Sequence, residues 1–171
     1  MSEEIELDHP IIDLKSDEHF MGEALRQAKK AWEATEVPVG CVIVRKGQII
    51  ARGFNQVEML KDATAHAEML ALTSAESEVG DWRLNECDLF VTKEPCAMCA
   101  GAIVHCRVRR VVFGCLSPKD GAAGSLLNLI QFPALNHQSE LVSGVREEEC
   151  AGILKAFFRE AREARQLSSD E

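Results

Sequence analysis

The stretch Asp88–Gly114, DLFVTKEPCAMCAGAIVHCRVRRVVFG, decides the class of fold. Asp88 to Thr92 is a short apolar run of the kind that forms a buried strand. Pro95 suits the first turn of a helix, because the N–H it lacks is one the helix could not pair there, and that helix runs to about His105. Val108 to Gly114 is again a strand. Two parallel strands need a crossover between them, and this stretch supplies strand, helix and strand in succession.

The same alternation continues outward. From Ser16, the apolar positions Phe20, Met21, Ala24, Leu25, Ala28 and Trp32 recur at three and four, predicting a helix with one buried face. Val39 to Val44 and Gln48 to Gly53 flank Lys46-Gly47, a hairpin signal. Thr64 is a candidate N-cap for a helix through about Thr73, with Ala65, His66, Ala67 and Glu68 in its first turns. Toward the C-terminus, Gly121-Ala-Ala-Gly124 reads as a loop, Ser125 to Ile130 as a short helix and Glu140 to Val142 as a weak strand. Glu147 to Leu167 is a closing helix with Cys150, Ile153, Leu154, Phe157 and Phe158 on one side. There is no internal repeat. Strands alternating with helices, with one hairpin, imply a layered α/β domain built on a mixed sheet.

The 171 residues make one ordinary domain, and 46% apolar with 27% charged residues argues against disorder or low complexity. No apolar run approaches the ~20 residues of a membrane span, and the N-terminus Met-Ser-Glu-Glu lacks the basic, then apolar, pattern of a secretory signal. A cytoplasmic protein is expected. The formal charge of −9 is unevenly spread. Residues 1–20 hold seven acids and one base, and Asp170 and Glu171 add two acids, so the body of the chain is near −1. Residues 1–15 read as an acidic arm and 16–171 as a single domain. Within the body, Ile103 to Lys119 carries Arg107, Arg109, Arg110 and Lys119 with no acid. That stretch is either a solvated strand edge or a place for a polyanion to approach.

Seven cysteines, an odd number, suit a reducing compartment. Cys41, Cys87, Cys106, Cys115 and Cys150 sit in or beside apolar runs and read as small buried hydrophobes. Cys96 and Cys99 form a C-x-x-C with both sulfurs on one helical face. With His66 they make three ligands for tetrahedral Zn²⁺, the number that leaves a fourth position for water. Glu68, two residues from His66, fits a proton shuttle and not a ligand. A C-x-x-C in such a chain also fits a thioredoxin-like redox pair, but H-x-E followed by P-C-x-x-C, each at the start of a predicted helix, is the zinc deaminase signature.

Val37-Pro-Val-Gly40, Thr64 to Leu72, Glu94 to Gly114 and Gly121 to Leu127 together resemble the bacterial tRNA-specific adenosine deaminases of the cytidine deaminase-like superfamily. The resemblance spans about Phe20 to Arg162. It implies a three-layer α/β/α fold with a five-stranded mixed sheet. It further implies one Zn²⁺ per chain on His66, Cys96 and Cys99, Glu68 as general acid/base, and Asn55 at the flipped base. The implied reaction is hydrolytic deamination of the wobble adenosine of a tRNA anticodon to inosine, with hydroxide generated at the zinc. A homodimer is implied as well. Deaminases of cytidine, deoxycytidylate and guanine share the four catalytic positions. Gly101-Ala-Ile-Val-His105, Arg109 to Gly114, Gly121 to Ser125, Asn136-His137 and Phe157-Phe158-Arg159 resemble the tRNA enzymes more closely. Two positions depart from the family: Ser117 replaces a common aspartate and Lys93 a common leucine. Substrate contacts are expected at Asn55, Ala67 and Ser117, with the anticodon stem-loop docking on Arg107, Arg109, Arg110, Lys119, Phe158 and Arg159. One of Phe157 and Phe158 is expected to be buried.

Overall fold

The computed structural model describes residues 13–169; most of the acidic arm lies outside the described residues. Its elements are α1 (Asp17–Glu33), β1 (Gly40–Arg45), β2 (Gln48–Phe54), α2 (Val57–Leu60), α3 (Ala67–Val79), β3 (Cys87–Lys93), α4 (Ala97–His105), β4 (Arg110–Cys115), β5 (Glu140–Ser143) and α5 (Glu147–Ser169). The sheet order is β2-β1-β3-β4-β5. β1 is antiparallel to both neighbours, whereas β3, β4 and β5 run parallel. The three-layer α/β/α arrangement with a five-stranded mixed sheet is therefore present.

Side chains alternate along each strand with a period of two, so one strand feeds two cores. Val42, Val44, Phe90 and Val112 face α1 and α5, packing with Phe20, Met21, Ala24 and Cys150. Cys41, Ile43, Leu89, Val91, Val111 and Phe113 face the other way, toward Ala67, Ala71 and Leu72 of α3 and Ala100 and Ile103 of α4. Burial on both faces explains why the central strands read as unbroken apolar runs. Ser16 caps α1 through its hydroxyl, which accepts from the His19 N–H at 3.1 Å.

Several local expectations are corrected. The helix expected to be capped by Thr64 and to run to about Thr73 is capped by His66, begins at Ala67 and continues to Val79, where Gly80 adopts a left-handed conformation. Thr64 instead pairs with the Asp62 carboxylate through its N–H and hydroxyl. Ser125 to Ile130 is not a helix but turns and bends, held by Ser125 on Glu94 and by the Ala123–Asn128 bridge. Phe157 is half-buried, edge-on to Trp32 with centroids 5.5 Å apart, and Phe158 is exposed, so neither is a core residue. Of the five cysteines read as hydrophobes, four are buried; Cys106 is half-buried and donates to Glu76.

Gly53 sets the distance between α3 and the sheet. A Cβ there would lie 2.4 Å from the Ala67 carbonyl oxygen and 2.9 Å from the Ala71 nitrogen. Neither backbone atom can yield without moving the start of α3, beside His66 and Glu68. Gly53→Ala should cost about 1–3 kcal/mol in chemical denaturation and weaken metal retention in the same protein. Unchanged stability would show that the helix slides freely.

Candidate metal centre and active site

The site lies where the carboxyl end of β3 runs into α4 and where α3 starts opposite it. His66 and Cys96 occupy the N-cap positions of α3 and α4, and neither makes a side-chain cap bond. The unpaired N–H groups of both first turns therefore act on the site as partial positive charge. His66 Nδ1 lies 3.6 Å from Cys96 Sγ and 3.5 Å from Cys99 Sγ. All three donor atoms fall within 4.8 Å of one another. Tetrahedral zinc, with bonds of ~2.3 Å to sulfur and ~2.05 Å to nitrogen, places N and S about 3.6 Å apart. The donors already stand at ligand spacing, and two thiols with one imidazole suit zinc.

The protonation pattern fits the same role. Hydrogen bonding from Cys99 brings the Cys96 thiol down to about 4, against the opposing pull of burial and with further help from His66. Cys99 is pushed up by its bond to Cys96 and by burial. The pair shares a proton that metal binding displaces. His66 is raised mainly by its hydrogen bond to Cys96. Burial raises the Glu68 carboxyl, with partial compensation from its own backbone N–H and from His66. A carboxyl raised by burial is a better proton acceptor than an exposed one.

A cavity of about 600 Å³ opens over these groups. His66, Ala67, Glu68 and Cys96 line it together with Asn55 and with Phe158, Arg162 and Arg165 of α5. Ser117 is not in the lining. It is buried, its N–H donates to Glu94 at 2.8 Å, and its hydroxyl is bonded to Asp120.

The basic stretch is not gathered at the cavity. Arg109 pairs with both carboxylate oxygens of Asp88 at 2.9 and 2.8 Å, and Arg110 with those of Asp17 at 2.8 and 2.6 Å, with Glu140 beside it. Arg107 takes a left-handed turn after α4, φ 59°, and donates to the Val104 carbonyl. Asp88 and Arg110 pair at the amino ends of β3 and β4, about 17 Å from Lys93 at ~3.3 Å per strand residue. Lys119 is exposed outside the lining, as is Arg159. Of the expected docking residues, the three arginines have partners within the chain and none lines the cavity, although Arg109 stays 59% exposed in its pair with Asp88; Arg162 and Arg165 are the α5 cations in the lining.

Glu94 is a site residue that the motif contained but that carried no role there. It is 2% exposed, and its carboxylate accepts from the N–H groups of Ser117, Ala123 and Ser125 and from the Ser125 hydroxyl. A Cβ on Gly121 would lie 2.2 Å from that carboxylate. The 117–125 loop is thereby clamped against Pro95 and Cys96, with the Ala122 N–H donating to the Pro95 carbonyl at 2.8 Å. Burial pushes the Glu94 carboxyl up, but these hydrogen bonds outweigh it and leave it below its ordinary value. Glu36 plays a similar part, accepting from the N–H groups of Glu58 and Met59. A glutamate whose partners are backbone groups 22 to 31 residues away leaves no mark in sequence spacing.

A His/Cys/Cys centre at two helix starts beside a buried glutamate, on a five-stranded mixed sheet, defines a zinc-dependent hydrolytic deaminase. The chain belongs to the family of the cytidine and deoxycytidylate deaminase zinc-binding region, whose model matches residues 14–115. It is 52% identical over 155 residues, covering 91% of this chain and 96% of the relative, to the tRNA-specific adenosine deaminase of Bacillus subtilis strain 168. A solved structure from studies of A-to-I editing by tRNA:A34 deaminases at the wobble position superposes with a TM-score of 0.77. It is 44% identical and covers 80% of this chain and 99% of that one. Guanine deaminase from Bacillus subtilis is more distant in shape, with a TM-score of 0.57 and 38% identity over 59% of this chain and 65% of that one.

Two outcomes follow from the geometry. Cys99→Ser should lose most of its zinc by elemental analysis, and the His66, Cys96 and Cys99 triple variant all of it; full retention in the triple variant would exclude the site. Glu94→Gln should cost about 2–4 kcal/mol at neutral pH, since an amide keeps one acceptor oxygen and turns an NH2 donor toward the remaining donors. Because the folded carboxyl titrates below the unfolded one, its contribution is present above the ordinary glutamate range and is lost as pH falls through the folded value. The stability gap between wild type and variant should therefore close on acidification, and a gap constant from pH 7 to pH 3 would refute this.

Proposed function

We propose that this protein hydrolytically deaminates the wobble adenosine of a tRNA anticodon to inosine. The observation that carries the proposal is the His66, Cys96 and Cys99 cluster set beside a cavity lined by His66, Cys96, buried Glu68, Asn55 and the cations Lys93, Arg162 and Arg165. Its likeness to tRNA-specific adenosine deaminases over nearly the whole chain supports the choice of substrate. When bound, zinc supplies a Lewis acid that brings the pKa of water toward neutrality.

The residues divide the work. His66, Cys96 and Cys99 hold the metal, and the first-turn N–H groups of α3 and α4 favour negative charge beside it. Glu68 takes one proton from the attacking water and passes it to adenine N1, then takes the proton of the resulting C6 hydroxyl and passes it to the departing amine, so the C–N bond breaks, ammonia leaves and inosine remains. Ala67 offers a small surface next to the ligand His66, and Asn55 hydrogen-bonds the base edge. An anticodon loop presents an unpaired base that can turn into the cavity at an unstacking cost of a few kcal/mol. Phe158 stacks or wedges against neighbouring nucleotides, while Arg162 and Arg165 meet phosphate. Arg159 and Lys119, both exposed, extend that surface.

A homodimer belongs to the same proposal. Leu126, Leu127, Phe132 and Leu135 lie exposed within one ten-residue segment, a density of apolar surface that a partner copy would cover. No helix among the described residues is long and apolar enough to cross a membrane, and the proposed site of action is the cytoplasm, where tRNA resides.

Sequencing the wobble position of purified tRNAs after incubation should show inosine, while a screen for ammonia release from guanine, cytidine and deoxycytidylate should show none. Release from a free base without tRNA conversion would transfer the protein to the nucleobase or nucleotide deaminases. Glu68→Ala should keep zinc and RNA binding but lose turnover by at least about 10²-fold; loss of zinc together with activity would make Glu68 a ligand.

A further inference from the structure

Lys93 closes β3 one residue before Glu94, and with Asp120 it lines the same cavity as His66, Cys96 and Glu68. Its ammonium lies 3.3 and 3.4 Å from the two carboxylate oxygens of Asp120. The pair is 30% and 53% exposed, respectively, and its distances are long for a charge-assisted hydrogen bond. Such a pair holds the lysine in place weakly and releases it at little cost. Asp120 does not lose its position when the lysine leaves, because the Ser117 hydroxyl is bonded to it and Ser117 is in turn held by Glu94.

The other cations of the lining, Arg162 and Arg165, come from α5. Two acids of the lining are committed to backbone groups, Glu36 to Glu58 and Met59, and Glu94 to the 117–125 loop. Lys93 is the lining cation that comes from the sheet, and its ion-pair partner among the described residues is Asp120. A strand that sends its base to the metal must leave the flanking phosphates at the cavity mouth, since burying a phosphate without a partner is costly. A flexible stem ending in a compact ammonium can follow such a phosphate.

We propose that Lys93 is a phosphate subsite for the RNA strand whose base enters the cavity, held ready by Asp120 and handed over to the phosphodiester on binding. The subsite rests on the tRNA reading above, and the experiment separates the two. Binding of a fluorescent anticodon stem-loop RNA is measured by anisotropy over a range of salt in a Glu68→Ala background, and conversion of the same RNA is measured separately in the wild type. Lys93→Gln and Lys93→Met should each reduce the slope of log affinity against log salt by about 0.7, the value of one contact to single-stranded phosphate. Their deficit relative to the parent then shrinks roughly fivefold per tenfold rise in salt. Lys93→Arg should restore the slope, and Lys46→Gln, at the exposed hairpin turn on the opposite end of the sheet, should leave it unchanged. Asp120→Asn keeps the Ser117 contact but frees the lysine, so it should tighten binding. An unchanged slope in both neutral variants, or no RNA binding by the parent, overturns the subsite. Weaker binding in Asp120→Asn alongside Lys93→Gln also overturns it, by making the pair a clasp for the loop. Binding with the expected slopes but no conversion by the wild type would defeat the deaminase assignment and leave the subsite standing.

Discussion

Two helices begin at a metal ligand, and neither has a side-chain cap. In an ordinary helix the first four N–H groups find a serine, threonine or aspartate, or water. Here His66 and Cys96 stand in the cap positions, and the charge those N–H groups favour is a thiolate or an anion at the metal. The fold and the chemistry therefore share one requirement. α3 must reach the sheet closely enough to bring His66 within ligand distance of α4, which is why Gly53 has room for no side chain. Anything that moves either helix start changes ligand spacing before it changes the core.

The second support is Glu94. Its carboxylate gathers three N–H groups and a hydroxyl from a loop more than twenty residues further on, and that loop backs the turn carrying Pro95 and Cys96. A buried carboxylate with that many donors is stable as an anion, whereas removing any donor leaves part of its charge unpaired. The two carboxylates near the metal are thus driven in opposite directions by their surroundings. Glu68, buried with little hydrogen bonding, is raised, and Glu94, equally hidden but fully bonded, is lowered. The first is suited to carrying protons and the second to holding structure.

Local charge in the sequence proved a poor guide to electrostatic surface. Arg109 and Arg110 stand in a stretch without acids, yet each meets a carboxylate supplied from elsewhere: Asp88 on the neighbouring strand and Asp17 on α1. The cations that line the cavity come from two distant places in the chain, Lys93 at the end of β3 and Arg162 and Arg165 on α5. Strand pairing and helix packing rearrange charge over distances that a linear count ignores.

The sequence by itself determined the α/β class, the two-sided burial of the central strands, the metal ligands and the carboxylate beside them. Each of these is written in short spacing: a period of two or of 3.6, an H-x-E, a C-x-x-C. What only the tertiary structure decided was whatever depends on residues far apart in the chain. The cap of α3 falls on His66 in place of Thr64, with His66 beside the cysteines and the Thr64 hydroxyl on Asp62. The 125–130 segment forms turns, tied to Glu94 by Ser125 and to Ala123 by Asn128. Phe157 found Trp32 at the edge of the fold, not the core. The physical reason is common to all three: a hydrogen bond, an ion pair or a ring contact is decided by which partner folding brings within a few ångströms, and local periodicity carries no information about that partner.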